Sequence, residues 1–423
     1  MRNLCSRVYS FLNLHKCIYE LQFGFRAKHS TNNALFSLTE MVRDALDNSN
    51  FACGIFIDLQ KAFDTVDHNI LLKKLEYYGI RGIANKWFTS YLSNRKQFVS
   101  INGFDSKKRT MEFGVPQGSV LGPLLFLIYI NDLHKAIKFS ITHHFADDTN
   151  LLVIGKTLKQ IQKQINIDLK LLCKWLKANK ISLNASKTEL IVFKDPKKTS
   201  PHELKIKIDG KKLVPSASVK YLGIYIDNHI NWHAHESVLS KKLSRALGML
   251  SKIRHFVKHE TVIMIYYGIF SSLLTYGSQI WGQNNNVRNK LQILQNKALR
   301  IINFQPNRSS ASPLYKKCNI LKLEDNINLQ NFLFAHDTIK NNLPIPLQGQ
   351  LNVVDTVHNT RNQELHQFDI PTTKTIIYGT NSIKTKSVQI WNTLNRVHHL
   401  KKLHEVSRSI NKSFIKKYLI EQY

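Results

Sequence analysis

GIFIDL at residues 54–59 and FSITHHFADDTNLLVIG at 139–155 decide how this chain folds. The first is an apolar run of strand length that ends around Asp58. The second is two apolar runs separated by the Asp147–Asp148 pair, the pattern of a hairpin with carboxylates at its tip. Asp58 and Asp147 are 89 residues apart, yet each ends a strand candidate, and adjacent strands of one sheet would bring them together. Two carboxylates at such a meeting point can hold two Mg²⁺ ions in an otherwise unfavourable cluster of negative charge. That is the arrangement phosphoryl transfer uses. Taken singly, each has a plainer explanation: Asp58 ends a strand, and Asp147–Asp148 makes a turn.

Outward from these strands the pattern alternates. Before the first, Ser30 or Thr31 can cap a helix that buries Leu35, Leu38, Val42 and Ala45 at helical spacing. After it, Asp64 and Asp67 look like an acidic capping box ahead of the helix NILLKKLEYYG, 69–79. Ile161, Ile165, Leu169, Leu172 and Leu176 then follow the second strand pair at helical spacing. ISLNASKTELIVF (181–193) and ELKIKIDGKKLV (203–214) read as further hairpins leading to VKYLGIYID, 219–227. The order strand, helix, hairpin, helix, hairpins predicts an α/β sandwich with one sheet. Beyond Asp227 the composition becomes helical and basic. Leu239, Leu243, Leu247, Leu250 and Ile253 form an apolar stripe among Lys241, Lys242, Arg245, Lys252 and Arg254, and VRNKLQILQNKALRII (287–302) closes this region. Residues 304–423 carry breaks at Pro344 and Pro346 and a basic end.

Sixty Lys and Arg against 29 Asp and Glu give a net charge of +31 over 423 residues, with 43% hydrophobic residues. Such a chain has ample material for packed cores, and its cationic excess calls for a polyanion, nucleic acid first. Cys5, Cys17, Cys53, Cys173 and Cys318 form no CxxC pair, so neither a disulfide framework nor a zinc site is indicated. The uncharged stretch 261–281 is long enough to cross a bilayer. Ser, Thr, Gln and two Gly dilute it, and a buried helix is the better reading. His143, His144, His233 and His235 read as structural residues, since Mg²⁺ prefers oxygen and no cysteine lies at zinc spacing.

The catalytic candidates sit inside longer strings. FIDLQKAFDTVDH (56–68), GVPQGSVLGPLLFLIYINDL (114–133), FADD (145–148), LNASKTELIVF (183–193) and VKYLGI (219–224) occur in the order of the palm motifs of reverse transcriptases. They most resemble those of non-LTR, LINE-type retrotransposons of the jockey and related groups. QFGFRAKHST (22–31) resembles the fingers motif of the same family, and LTYGSQIWG (274–282) and LQNKALRII (294–302) are weaker matches to its thumb and tail.

The resemblance implies an α/β (α+β) polymerase palm with partial fingers over 1–228, an α-helical thumb over 229–303 and a mixed, basic C-terminal region over 304–423. It implies an RNA-directed DNA polymerase that adds dNTPs to a primer 3′-hydroxyl. Asp58 and Asp147, with Asp148 as the adjoining carboxylate of the same metal site, would bind two Mg²⁺ ions, Mn²⁺ being able to substitute. Lys187 would be the general acid for pyrophosphate. Phe63 matches a steric gate against the ribose 2′-hydroxyl, and Gln117 and Gly118 fall in the turn near the incoming nucleotide. Arg26, helped by Lys28, would grip the triphosphate, and Tyr221, Leu222 and Gly223 match the primer grip. The expected partners are an RNA template, a DNA primer or target, dNTPs and an endonuclease-bearing or RNA-binding protein, with no membrane. The expected location is nuclear or cytoplasmic. The fingers motif already begins at Gln22, so the reading includes a 5′-truncated element with impaired catalysis. Its alternative is a remnant that only binds nucleic acid. An RNA-dependent RNA polymerase fits less well, because Phe63 and FADD depart from that pattern.

Overall fold

GIFIDL lies in a strand, β1 (Phe51–Ile57), and all seven of its residues are buried. The computed structural model describes residues 1–199, 202–354, 367–395 and 406–423. They gather into two compact units. The first comprises Met1–Ala34, Phe51–Val192 and Lys197–Ser216, and the second Leu35–Asn50, Phe193–Pro196 and Ala217–Tyr423.

In the first unit β1 is followed by four two-residue strands: β2 (Lys96–Gln97), β3 (Ser100–Ile101), β4 (Phe104–Asp105) and β5 (Arg109–Thr110). Then come β6 (Ile141–Phe145), β7 (Asp148–Gly155), β8 (Glu189–Phe193), β9 (Ile206–Ile208), β10 (Lys211–Leu213) and β11 (Pro215–Ser216). Five of them make one sheet in the order β11-β8-β1-β7-β6. β1 is its middle strand, which is why it reads as a continuous apolar run rather than an alternating one. The helix Leu158–Ala178 packs on β7, burying Ile161, Ile165, Leu169, Leu172 and Leu176 as the spacing predicts. Its Asp168 is fully buried and accepts from the backbone N–H groups of Lys138, Phe139 and Ser140. This carboxylate fixes the point at which β6 begins. The helix Gly122–Ile130 starts with Pro123 in its first turn and buries almost every residue, so it shows no amphipathic stripe.

Two local expectations need correction. Residues 181–193 do not form a hairpin, because only β8 forms there. The polar run Asn184–Lys187 turns on itself, with Lys187 and Thr188 donating to the Asn184 carbonyl, and Leu183 keeps a single bridge to Leu59. Such local bonding competes with a sheet ladder. The capping box is also absent. Asp67 alone caps the helix His68–Tyr77, through Ile70 N–H at 3.0 Å, while Asp64 accepts from Gln117 Nε2 at 2.8 Å.

The second unit carries the predicted hairpin β12 (Ser218–Tyr221) and β13 (Ile224–Asp227), and helices. Its segment 35–47 buries Leu35, Leu38, Val42 and Ala45 as expected. His233–Ile253 and Asn285–Ile302 pack together, the first burying Leu239, Leu243, Leu247 and Leu250 as expected while Ile253 stays half-buried. Residues 259–281 break into short helical pieces at Tyr266–Ser271 and Gly277. Among the described residues no helix is long and apolar enough to cross a membrane. The stretch beyond 304 folds mainly as Ser312–Lys317, Leu323–Ile339, Ile383–Asn395 and Arg408–Glu421, with Trp391 stacked on Phe332 at 4.9 Å. Parts of the expected C-terminal region, 355–366 and 396–405, lie outside the described residues. The three regions expected along the chain do not coincide with the two units. Leu35–Asn50 joins the second because Glu40 accepts from Ile383 N–H at 3.2 Å, Arg43 donates to the Ile377 carbonyl at 3.0 Å, and Asp47 accepts from Thr375 N–H at 2.7 Å.

Candidate active site

The register of β1 against β7 builds the site. Ile57 pairs with Thr149, so Asp58 stands one residue beyond the last rung, across from Asp148. β6 pairs with β7 down to Phe145 opposite Asp148, leaving Ala146 and Asp147 as the hairpin tip, with Ala146 at φ +58°. Asp58 and the consecutive pair Asp147–Asp148 thus stand at the ends of adjacent strands. Loss of hydration, then the charges of Asp147 and Asp58, push the Asp148 carboxyl up to about 6 although the residue lies at the exposed rim. A bound cation would relieve this crowding.

Among the described residues no three His, Cys, Asp or Glu side chains come together closely enough to hold a metal ion. The donor set still fits Mg²⁺, which is commonly held by one or two carboxylates and completed by water and substrate phosphates. Asp58 is oriented from two directions by Asn184, whose Nδ2 donates to Oδ2 at 2.8 Å and whose backbone N–H donates to the Asp58 carbonyl at 2.9 Å.

A second contact holds the tip. Phe23 N–H donates to the His144 carbonyl at 2.8 Å, and His144 N–H to the Leu21 carbonyl at 2.9 Å. Residues 21–23 thereby extend the edge of β6. The buried Gln22 Oε1 accepts from Gly24 N–H at 2.9 Å and Ala146 N–H at 3.1 Å, and a Cβ on Gly24 would collide with the Ala146 nitrogen. Gln22 and Asn184 lie within QFGFRAKHST and LNASKTELIVF, where no periodicity or spacing marks either as part of the site. His143 and His144 are buried strand residues, and desolvation first of all lowers them to about 4 and 3. Both are therefore neutral at physiological pH.

The other expected residues are placed as follows. Half-buried Phe63 stacks on Phe126 at 4.3 Å, with the exposed Phe25 ring edge-on at 6.1 Å. Gln117 and Gly118 are exposed beside Asp64. Gly118 has φ +76° with open space where a Cβ would stand, so conformation rather than crowding selects glycine there. Arg26 points its Nη1 at the backbone carbonyls of Tyr19 (2.9 Å) and Gln22 (3.1 Å), holding its own loop. Lys28 and Lys187 are exposed. Tyr221, Leu222 and Gly223 form the β12–β13 turn in the second unit, where Tyr276 Oη donates to the Leu222 carbonyl at 2.6 Å.

Residues 2–226, more than half of the chain, match the family described as reverse transcriptase (RNA-dependent DNA polymerase). The chain belongs to the reverse transcriptase family. Within that family it is similar to the probable RNA-directed DNA polymerase from transposon BS of Drosophila melanogaster, at 29% identity over 77% of this chain and 37% of that protein. It is also similar to the RNA-directed DNA polymerase from mobile element jockey of the same fly, at 26% identity over 88% of this chain and 42% of that protein. The chain spans about two fifths of the length of these curated relatives. Among solved structures, apo telomerase from Candida tropicalis aligns over 96% of this chain and 61% of its own, at 12% identity and a TM-score of 0.43. The reverse transcriptase match ends at 226, inside β13, so the basic helices that follow lie beyond it.

Proposed function

We propose that this chain acts as the RNA-directed DNA polymerase of a non-LTR retrotransposon, extending a DNA primer or nicked target along an RNA template with dNTPs. The observation that carries the reading is the β1–β7 register, which sets Asp58 across from Asp148 and next to Asp147. Asp58 and Asp147 supply the metal oxygens, and Asp148 adds to the local field. Two Mg²⁺ ions held there, or Mn²⁺ in their place, would activate the primer 3′-hydroxyl and neutralise charge on the departing pyrophosphate. Asn184 keeps the Asp58 carboxylate turned toward the site. Phe63, braced by Phe126, excludes a ribose 2′-hydroxyl, and Gln117 and Gly118 lie against the incoming base pair. Arg26 exchanges neutral carbonyl partners for triphosphate oxygens, a stronger charge-assisted bond, with Lys28 beside it. Lys187 donates a proton to pyrophosphate, and Tyr221–Gly223 align the primer end. In this reading residues 1–228 are palm and partial fingers. Residues 229–303 are a thumb that follows the duplex through phosphates, and 304–423 extend that basic surface.

Primer extension on an RNA template with Mg²⁺ tests the proposal. Asp58→Asn and Asp147→Asn should each abolish extension with duplex binding nearly unchanged. A lost metal ligand removes several kcal/mol of transition-state stabilisation, so retention of more than about a tenth of the activity overturns the assignment. Duplex binding by a wild-type chain that never extends a primer would instead identify a nucleic-acid-binding remnant.

A further inference from the structure

Between Leu92 and Gly114 the first unit extends a single hairpin, pairing β2 with β5 and β3 with β4. Met111 N–H donates to the Arg95 carbonyl at its base, and Ser106 N–H to the Val99 carbonyl midway. The Asn102–Gly103 tip has both φ angles positive, the form that suits a two-residue hairpin turn. At about 3.3 Å per residue, arms of eight residues project roughly 25 Å.

Both faces of this ribbon are exposed. An isolated hairpin is marginal in water, and this one shows Phe104 at 82%, Ile101 at 65%, Val99 at 61% and Phe98 at 46% exposure. Exposed apolar side chains on such a support mark an interaction surface. The charge identifies the partner. Arg95, Lys96, Lys107, Lys108 and Arg109 face a single carboxylate, Asp105, between residues 95 and 110, and Lys108 Nζ stands 5.5 Å from the Phe98 ring. A second, independent feature continues the pattern at the ribbon's base. Trp87 stacks on Tyr91 at 5.4 Å with the planes 9° apart, and the Arg95 guanidinium lies 5.2 Å from the Tyr91 ring. Exposed aromatic rings interleaved with cations, Phe104 the most open of them, are what unpaired bases and their phosphates require. A duplex would offer the phosphates but hide the base faces.

We propose that the 95–111 ribbon, with Trp87 and Tyr91 at its base, is a holder for single-stranded nucleic acid, stacking bases on Phe98 and Phe104 and neutralising phosphates with its flanking cations. The proposal rests on the polymerase reading, in which the strand held would be unpaired template, since β5 leads directly into the turn at Gly114–Gly118.

The test measures fluorescence anisotropy of the full chain without dNTPs. The probes are a single-stranded RNA of about 20 nucleotides, longer than one typical site of about 4–16, an abasic strand of equal length, and a blunt duplex. Phe98→Ala with Phe104→Ala should weaken RNA binding about tenfold or more, since stacking acts per base, with binding to the abasic strand and the duplex unchanged. Replacing Lys107, Lys108 and Arg109 by Ser should flatten the salt dependence by about 2 in log–log slope on either single strand. These side chains lie outside the core, so thermal unfolding should stay at the wild-type temperature. Wild-type RNA affinity in the aromatic variant, an equal loss on the abasic strand, or a change confined to self-association of the chain would each overturn the proposal. A chain that binds as expected but never extends a primer would refute the polymerase reading and leave the ribbon standing. One that extends primers while both ribbon variants bind normally would do the reverse.

Discussion

Asp148 concentrates the electrostatics of the site in one titration. Its folded-state pKa, raised from 3.8 to about 6, means that the folded protein binds this proton more tightly than the unfolded chain. The stability contributed by this group is therefore present at low pH and is lost as pH rises between about 4 and 6. Without divalent metal, Asp148→Asn should raise the melting temperature at pH 8 and leave it unchanged near pH 4. Added Mg²⁺, binding only the folded state, should raise the wild type at pH 8. Scanning calorimetry across that range with chelator decides it, and a gain that does not grow with pH would contradict the crowding. For Phe63, Phe63→Val should raise rNTP incorporation relative to dNTP, and an unchanged ratio in an active variant would reduce the residue to its packing against Phe126. The placement of Asp58 and Asp147 at the ends of neighbouring strands was legible because each closes an apolar run of strand length. Asn184 and Gln22 were not, because their partners lie 126 and 124 residues away and neither has a periodicity to betray it.

Strand and helix positions were readable where burial imposes a period. The helix 158–178 shows its stripe plainly, and β1 shows the unbroken run of a central strand. The stretch 181–193 was misread because an apolar start resembles a first strand until the local bonds of Asn184 are seen. The edge made by residues 21–24 was equally invisible, since it pairs through only two backbone bonds and one side chain. That edge yields a prediction. Gln22→Ala removes the acceptor shared by Gly24 and Ala146, two N–H groups in a buried setting, and should cost about 1–3 kcal/mol together with most primer extension. Gly24→Ala should act in the same direction by forcing the tip away. Denaturant unfolding and extension rate measured on both variants check this, and full activity in either would show that the tip holds itself.

At the scale of the molecule the charge excess is the dominant property. Lys241, Lys242, Arg245 and Lys252 are exposed on the helix 233–253. Replacing all four with Ser should lower the log-affinity against log-salt slope on a duplex by about 2 to 4. An unchanged slope would remove this helix from the nucleic-acid interface. Substitution is the better test, because cutting the chain at Asp227 would strip residues 35–50 of most of their unit. The same discontinuity governs how the protein is made. Arg43 leaves the ribosome 334 residues before the carbonyl it donates to, and at about 5–20 residues per second that is an interval of tens of seconds. Until then Glu40 and Arg43, which end fully buried, lack the Ile383 N–H and the Ile377 carbonyl that become their partners. The second unit therefore cannot be completed during translation until positions near 383 have emerged, and a stop codon just upstream of them leaves these two buried charges without their backbone partners.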